Sequence, residues 1–256
     1  MNKIYTYYED FGKPYQKELI DVWADSWRNQ GFDPVVLGYE SVPNNTLKKE
    51  YMKFVKNIHI SITGRYQPQN YWKTVHNSLL AFSSIEEPSW FSDYDCINVK
   101  FKYNPSLILQ PKVYWRDYDC TCVATGSGEG FRKYIEFVLT QENSILKYCR
   151  TLSRNHYGLD PFLTSIIFHT PMEKWMPIFD ISRYFCQSTK VIGGIYFDEN
   201  YYKNKHVNIF HLGTYNTRKY LINQMPDLNA EDLDVKTLNK WRVILAKMVI
   251  ENFCHE

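Results

Sequence analysis

The chain has 256 residues, of which 44% are hydrophobic and 23% charged. That composition supports one sizeable core and excludes wholesale disorder. The formal net charge is only +2, which gives no electrostatic reason to expect a nucleic-acid or anionic-membrane partner.

No run of about 18 apolar residues occurs, so no membrane-spanning helix is expected. The opening Met1-Asn2-Lys3-Ile4-Tyr5 lacks the basic-then-apolar pattern of a signal peptide. The six cysteines, at 96, 120, 122, 149, 186 and 254, form no Cys-x-x-Cys pair. A zinc site is therefore poorly supported, and the reducing cytoplasm, with free thiols, is the expected compartment. Aromatics reach 17%, with 21 Tyr. Most are expected in the core or on the surface, and a few flat rings can line a sugar or base pocket.

In chain order, Ile4 to Tyr8 reads as a β-strand. Pro14 to Asn29 reads as a helix, because Leu19, Trp23 and Trp27 recur every fourth residue and Pro14 is tolerated in a first turn. Gly31 ends it, and Val35 to Leu37 follows as a second strand. This β-α-β opening predicts a parallel sheet covered by helices. Leu47, Tyr51, Phe54 and Val55 predict another helix. Gln69 to Ile85 predicts a longer one, with Trp72, Val75, Leu79 and Phe82 on one face. Pro88 interrupts, and Trp90-Phe91-Ser92 runs as a strand into Asp93. Val113 to Thr125 reads as strand, punctuated by Gly126, Gly128 and Gly130, and Phe131, Ile135, Val138 and Leu139 continue as a helix. Val191 to Phe197 and Val207 to Phe210 are further strands. A last helix, from about Glu231 to Phe253, carries Leu238, Trp241, Leu245 and Met248 at helical spacing. No internal repeat or linker-like tract divides the chain, so residues 1–256 are expected to form a single domain.

The strongest chemical candidate is Trp90-Phe91-Ser92-Asp93-Tyr94-Asp95. Carboxylates at i and i+2 point to one face if the backbone is extended, and both can then approach one cation. Mg²⁺ and Mn²⁺ take hard oxygen ligands and bridge carboxylates to substrate phosphates. An apolar strand ending in such a pair delivers it to the carboxyl end of a parallel sheet, where open α/β folds bind ligands.

The spacing alone is weak evidence, since about one Asp-x-Asp is expected by chance in a chain of this length. Asp117/Asp119 and Asp232/Asp234 share it. The latter pair falls at a helix start, where capping is the natural role, and the former follows Arg116 and suits a solvated face or salt bridge. Thr125-Gly126-Ser127-Gly128-Glu129-Gly130 does not have dinucleotide-fingerprint spacing and reads as a strand-to-helix turn that can line a donor-sugar pocket. No nucleophile elbow, Walker loop or His-Glu-x-x-His is present.

Three stretches, namely Ile4 to Glu9, Glu18 to Arg28, and Gly31 to Leu37, together with the helix at Tyr71 to Ser83 leading into Trp90 to Asn98, resemble the first hundred residues of small GT-A-type glycosyltransferases. The resemblance implies a Rossmann-like α/β fold with a mixed, mostly parallel sheet flanked by helices. It places a nucleotide-binding part at about 1–100 and an acceptor and sugar part at about 101–256. It also implies Asp93 and Asp95 as metal-binding residues, with Asp93 also on the donor side.

Later landmarks fall in the family's order. His211, in Asn208-Ile209-Phe210-His211-Leu212-Gly213, corresponds to a late metal-ligand histidine; a hydrogen-bonded structural histidine is the alternative. Gly213 and a following basic residue, Lys219 or Arg218, correspond to diphosphate contacts. Gly158-Leu159-Asp160-Pro161 resembles the segment whose acid faces sugar or acceptor. Asp160 is therefore the candidate base for an inverting transfer, although Pro161 departs from the pattern and Asp160 equally suits a helix N-cap. Thr6, Tyr7 and Tyr8 are the expected base-binding residues, and Lys73 the basic residue on the preceding helix.

The implied activity is transfer of a sugar from a nucleoside diphosphate sugar, expected to be a UDP-sugar, to a glycan or other hydroxyl acceptor, with Mn²⁺ or Mg²⁺ as cofactor. A nucleotidyltransferase of similar fold is the alternative, but Glu9-Asp10-Phe11-Gly12-Lys13 holds one Gly where such enzymes carry a Gly-rich basic loop. A non-catalytic binding protein that keeps the fold is a third reading.

Overall fold

The computed structural model describes residues 2–63, 70–104, 113–114, 123–143, 146, 185–186, 208–213, 217–218, 221 and 233–253. Their elements, in order, are β1 (Lys3–Tyr7), α1 (Gln16–Arg28), β2 (Asp33–Leu37), a 3₁₀ turn (Tyr39–Ser41), α2 (Thr46–Thr63), α3 (Asn70–Phe82), β3 (Ser89–Ser92), β4 (Cys96–Asn98), β5 (Val113–Tyr114), β6 (Val123–Gly126), α4 (Gly128–Thr140), β7 (Phe185–Cys186), β8 (Ile209–His211) and α5 (Val235–Phe253).

The central sheet has the order β2-β1-β3-β6. Strand β1 pairs in parallel with both β2 and β3, while β6 runs antiparallel to β3. The β-α-β opening thus builds the parallel sheet that its pattern predicts. The segment read as one strand over 113–125 contributes instead to two sheets: β5 pairs with β7, and β6 joins the central sheet. Strand β8 pairs antiparallel with β4. The expected strand at 191–197 lies outside the described residues.

Strand periodicity splits the core into two layers. Tyr5, Tyr7 and Phe91 face a cluster built with Tyr51, Phe54, Val55 and Ile58 of α2, Leu80 of α3, and Phe131, Ile135 and Val138 of α4. Ile4 and Trp90, on the opposite face, join Leu19, Trp23 and Trp27 of α1, Val243, Ala246 and Val249 of α5, and the strands β4 and β8. Helices therefore pack on both faces of β1 and β3, whose Ile4, Tyr5, Trp90 and Phe91 are all buried. Each such large side chain, fully buried, contributes about 1.5–3 kcal/mol.

Helix α1 ends as its sequence demands. Gly31 has φ +86°. Its N–H donates to Arg28 O at 3.0 Å, and Phe32 N–H donates to Trp27 O at 3.2 Å. The rings of Trp27 and Phe32 meet edge-on at 4.9 Å. These are the paired bonds and the apolar contact of a Schellman motif. The start differs from expectation: the helix begins at Gln16, after Tyr15 in the left-handed region at φ 65°, so Pro14 precedes it. Pro14 O instead accepts a bond from Asn239 Nδ2 of α5 at 3.3 Å. Asp234 caps α5, its carboxylate accepting Thr237 N–H at 2.6 Å. That bond, together with the Lys236 charge, holds the carboxyl below the usual range. Among the described residues, no helix is long and apolar enough to cross a membrane.

Candidate active site

Strand β3 leaves the sheet at Ser92, at the carboxyl end of the parallel strands. The backbone then turns: Cys96 N–H donates to Asp93 O at 3.1 Å. This turn replaces the extended backbone expected across Asp93 to Asp95, so the two carboxylates do not share an environment. Asp93 is exposed, whereas the Asp95 side chain is only 13% exposed.

Helix α1 fastens the turn from below. Trp23 Nε1 donates to Ser92 Oγ at 3.3 Å, and Ser92 Oγ donates to Asp93 O at 2.8 Å. Trp27 Nε1 donates to Cys96 O at 2.9 Å, and Asn98 N–H donates to Ser26 Oγ at 3.1 Å. Both tryptophans are fully buried. The residues that made α1 legible as an amphipathic helix also hold the site in place.

The second half arrives on β8. Its register sets Cys96 opposite His211, and Leu212 N–H donates to Asp95 O at 2.8 Å. His211 Nε2 lies 3.5 Å from Asp95 Oδ1. Asp95 Oδ1 is buried and accepts no hydrogen bond. Donor atoms of Asp95, Cys96 and His211 all lie within 4.8 Å of one another. An orphaned carboxylate oxygen beside an imidazole and a thiol fits a divalent cation, because the cation supplies the partner that the oxygen lacks. Asp93 lies outside that donor group, on the exposed side of the turn.

The other carboxylate oxygen is taken by a residue that the sequence reading missed. Arg242 Nη2 donates to Asp95 Oδ2 at 2.5 Å, and Nε donates to Leu212 O at 2.8 Å. The guanidinium carbon sits 5.8 Å from the centroid of the Tyr94 ring. Burial alone pulls the Arg242 pKa down, but the Asp95 carboxylate and Tyr94 outweigh it and hold it raised. Burial also pushes the Tyr94 hydroxyl up, against the lowering effect of Arg242. A signal for Arg242 existed: it occupies the buried stripe Leu238, Arg242, Leu245, Val249, where an unpaired charge is not tolerated.

At the end of β1, Thr6 is fully buried, and its hydroxyl has no hydrogen-bond partner. The Tyr7 hydroxyl donates to Glu9 Oε1 at 2.5 Å, and Asn77 Nδ2 donates to the same oxygen at 2.8 Å. Burial, with the Glu9 charge, raises the Tyr7 pKa well above its ordinary value. Tyr8 is half-buried, and burial with the neighbouring Asp10 charge pushes its hydroxyl up to about 12. Its ring meets Tyr94 edge-on at 6.1 Å. Tyr8 is therefore the aromatic of this stretch that links the end of β1 to the turn after β3. Lys73 is exposed on α3, one turn before Asn77.

Gly213 lies against His211: a Cβ there would stand 3.2 Å from Nε2. Thr217 N–H donates to Gly213 O at 2.9 Å, and the buried Nε of the adjacent Arg218 has no hydrogen-bond partner. Lys219, Asp160, Asp117, Asp119 and Asp232 lie outside the described residues. In the glycine segment, Gly128 packs on the end of α3. A Cβ there would stand 2.4 Å from Ser83 O, so close helix contact accounts for this glycine.

No protein-family model matches the chain, and no curated protein matches it. Among solved structures, a match is the crystal structure of a glycosyltransferase involved in the glycosylation of the major capsid of PBCV-1. The identity is 10% and the TM-score 0.40, over 87% of this chain and 98% of that one. Likeness at that level assigns neither a fold family nor a site to this chain.

Proposed function

We propose that the protein is a metal-dependent glycosyltransferase that uses a nucleoside diphosphate sugar, with UDP as the nucleotide and a glycan or other hydroxyl as acceptor. The observation that carries this reading is the meeting of Asp95 Oδ1 and His211 Nε2 at 3.5 Å, at the carboxyl end of β3, where sheets of this type bind ligands.

In this reading Asp95 and His211 would hold the cation, and Asp93, on the exposed side of the turn, would serve the same site from the donor side. A bound Mn²⁺ or Mg²⁺ offsets charge that builds on the departing diphosphate. The imidazole donor favours Mn²⁺ over Mg²⁺. Tyr8 lies against the base, while Thr6 and Tyr7 shape that end of the strand from inside. Lys73, Gly213 and one of Arg218 or Lys219 lie along the diphosphate. Asp160 serves as base on the acceptor if the transfer inverts.

Charge balance makes a further demand. Arg242 already compensates Asp95, so the protein offers a lone cation little net negative charge. The diphosphate supplies the rest, and each of the two ligands tightens the other by the same factor.

The test is a panel of UDP- and GDP-sugars incubated with the protein and Mn²⁺, followed by measurement of free nucleoside diphosphate. Release with at least one UDP-sugar, abolished by chelator, is expected. Absence of release and of binding across the whole panel would remove the proposal.

A further inference from the structure

Helix α5 reaches the Asp95 carboxylate through Arg242. Arg242 is 5% exposed, and all three of its nitrogens are committed within the protein. Nη2 bonds Asp95 Oδ2 at 2.5 Å, Nε bonds Leu212 O at 2.8 Å, and Nη1 bonds Asn239 Oδ1 at 3.4 Å. Asp95 and Leu212 are themselves joined, because Leu212 N–H donates to Asp95 O at 2.8 Å. The guanidinium therefore spans a junction between two distant chain segments, one carrying Asp95 and the other carrying His211. Asn239 extends the same link to Pro14 O, at the entrance to α1.

We propose that Arg242 is a positioning residue: it locks the Asp95 carboxylate so that Oδ2 faces α5 and Oδ1 faces His211, and it pins the end of β8 to the turn after β3. The binding part of this proposal rests on the metal-dependent reading above. The carboxylate torsion is soft and two-fold, so without a fixed partner its two oxygens exchange. A planar fork can hold a carboxylate and a carbonyl together, whereas an ammonium is a single point charge on a flexible stem. Arg242 does not itself reach a substrate, since its nitrogens are used and its face lies over Tyr94. Outer partners of this kind orient metal ligands, and their loss costs about 10- to 100-fold in metal affinity.

The test has a ligand-free arm and a binding arm. In the first, amide hydrogen exchange is measured residue by residue on wild type and Arg242→Lys. The Leu212 amide is expected to exchange about tenfold faster in the variant. The Tyr8 amide, bonded to Leu37 O at 2.8 Å across β1 and β2, is expected to keep its wild-type rate. In the second arm, the Kd of UDP in Mn²⁺ is expected to rise at least tenfold in the variant. Unchanged exchange at Leu212 would overturn the proposal. So would equal acceleration at Leu212 and Tyr8, which signals a general loss of stability, or local acceleration with unchanged affinity. If wild type itself binds no UDP with Mn²⁺, the functional reading falls, and the exchange arm alone decides whether Arg242 is the clamp. Should Arg242→Lys not fold, Arg242→Gln is read in the same two arms; it keeps one donor group, while leaving the Asp95 carboxylate without its counter-charge.

Discussion

Gly213 and His211 fit together because residue 213 has no side chain: a Cβ there would stand 3.2 Å from Nε2 and 3.3 Å from Cε1 of the imidazole. That is tighter than ordinary contact, so the ring must give way by a few tenths of an ångström. Gly213→Ala is therefore expected to displace Nε2 from Asp95 at a stability cost of about 1 kcal/mol. UDP binding in Mn²⁺ should weaken several-fold more than binding in chelator, where only the diphosphate contact of Gly213 is disturbed. Calorimetry under both conditions checks this. Equal loss under both conditions would mean that Gly213 serves the nucleotide rather than the histidine.

His211→Ala separates a ligand role from a structural one. The ring is only 12% exposed, yet it lies at the end of β8 rather than within the core. The melting temperature of the ligand-free protein should change little, and the rise in melting temperature caused by Mn²⁺ and UDP together should largely vanish. Only ligands that bind the native state produce that rise. A large drop in the ligand-free melting temperature, with the ligand-induced rise intact, would make the histidine structural.

Asp95→Ala is expected to be costly to the fold as well as to activity. It leaves the Arg242 guanidinium buried with no counter-charge, and losing one partner of a buried pair typically costs about 3–5 kcal/mol. Asp93→Ala, on the exposed side of the turn, should leave stability near wild type. Urea denaturation of the two variants checks the contrast, and equal midpoints would contradict the buried pair. Loss of activity is consequently easier to interpret in Asp93→Ala than in Asp95→Ala.

A buried histidine on α3 is expected to make the fold acid-sensitive. Burial lowers the His76 pKa to about 3, and its Nδ1 lies 2.9 Å from Tyr51 Oη. The unfolded chain binds a proton at this residue near pH 6.5, but the native state does not, so stability present above pH 6.5 is lost as pH falls toward 3. Between neutrality and pH 5 the loss amounts to about 2 kcal/mol. Urea unfolding of wild type and His76→Asn at pH 7 and pH 5 should show a smaller pH effect in the variant. The same slope in both proteins would reassign the sensitivity to other groups.

Much of the first hundred residues was legible because local chemistry and tertiary structure agree there. Leu19, Trp23 and Trp27 mark α1, and Gly31 is the residue its exit requires. Two features were hidden for physical reasons. The turn at Asp93 depends on Ser92, Trp23 and Trp27 meeting across the fold, so i, i+2 spacing alone suggested an extended pair. Arg242 was not singled out, because its partner Asp95 is remote in sequence and only packing brings the two together. The glycines at 126–130 read as a strand-to-helix turn, and they form one between β6 and α4; what the sequence did not show is that Gly128 answers to the carbonyls of Ser83 and Ile85.

The most direct test of the central claim is calorimetric titration of UDP into the wild-type protein, once with Mn²⁺ and once with chelator. Because Arg242 already neutralises Asp95, Mn²⁺ without nucleotide should bind weakly, and UDP should bind at least tenfold more tightly with Mn²⁺ than without it, about 1.4 kcal/mol of coupling. Equal UDP affinity under the two conditions, or no UDP binding under either, would contradict a metal and diphosphate site at Asp95 and His211.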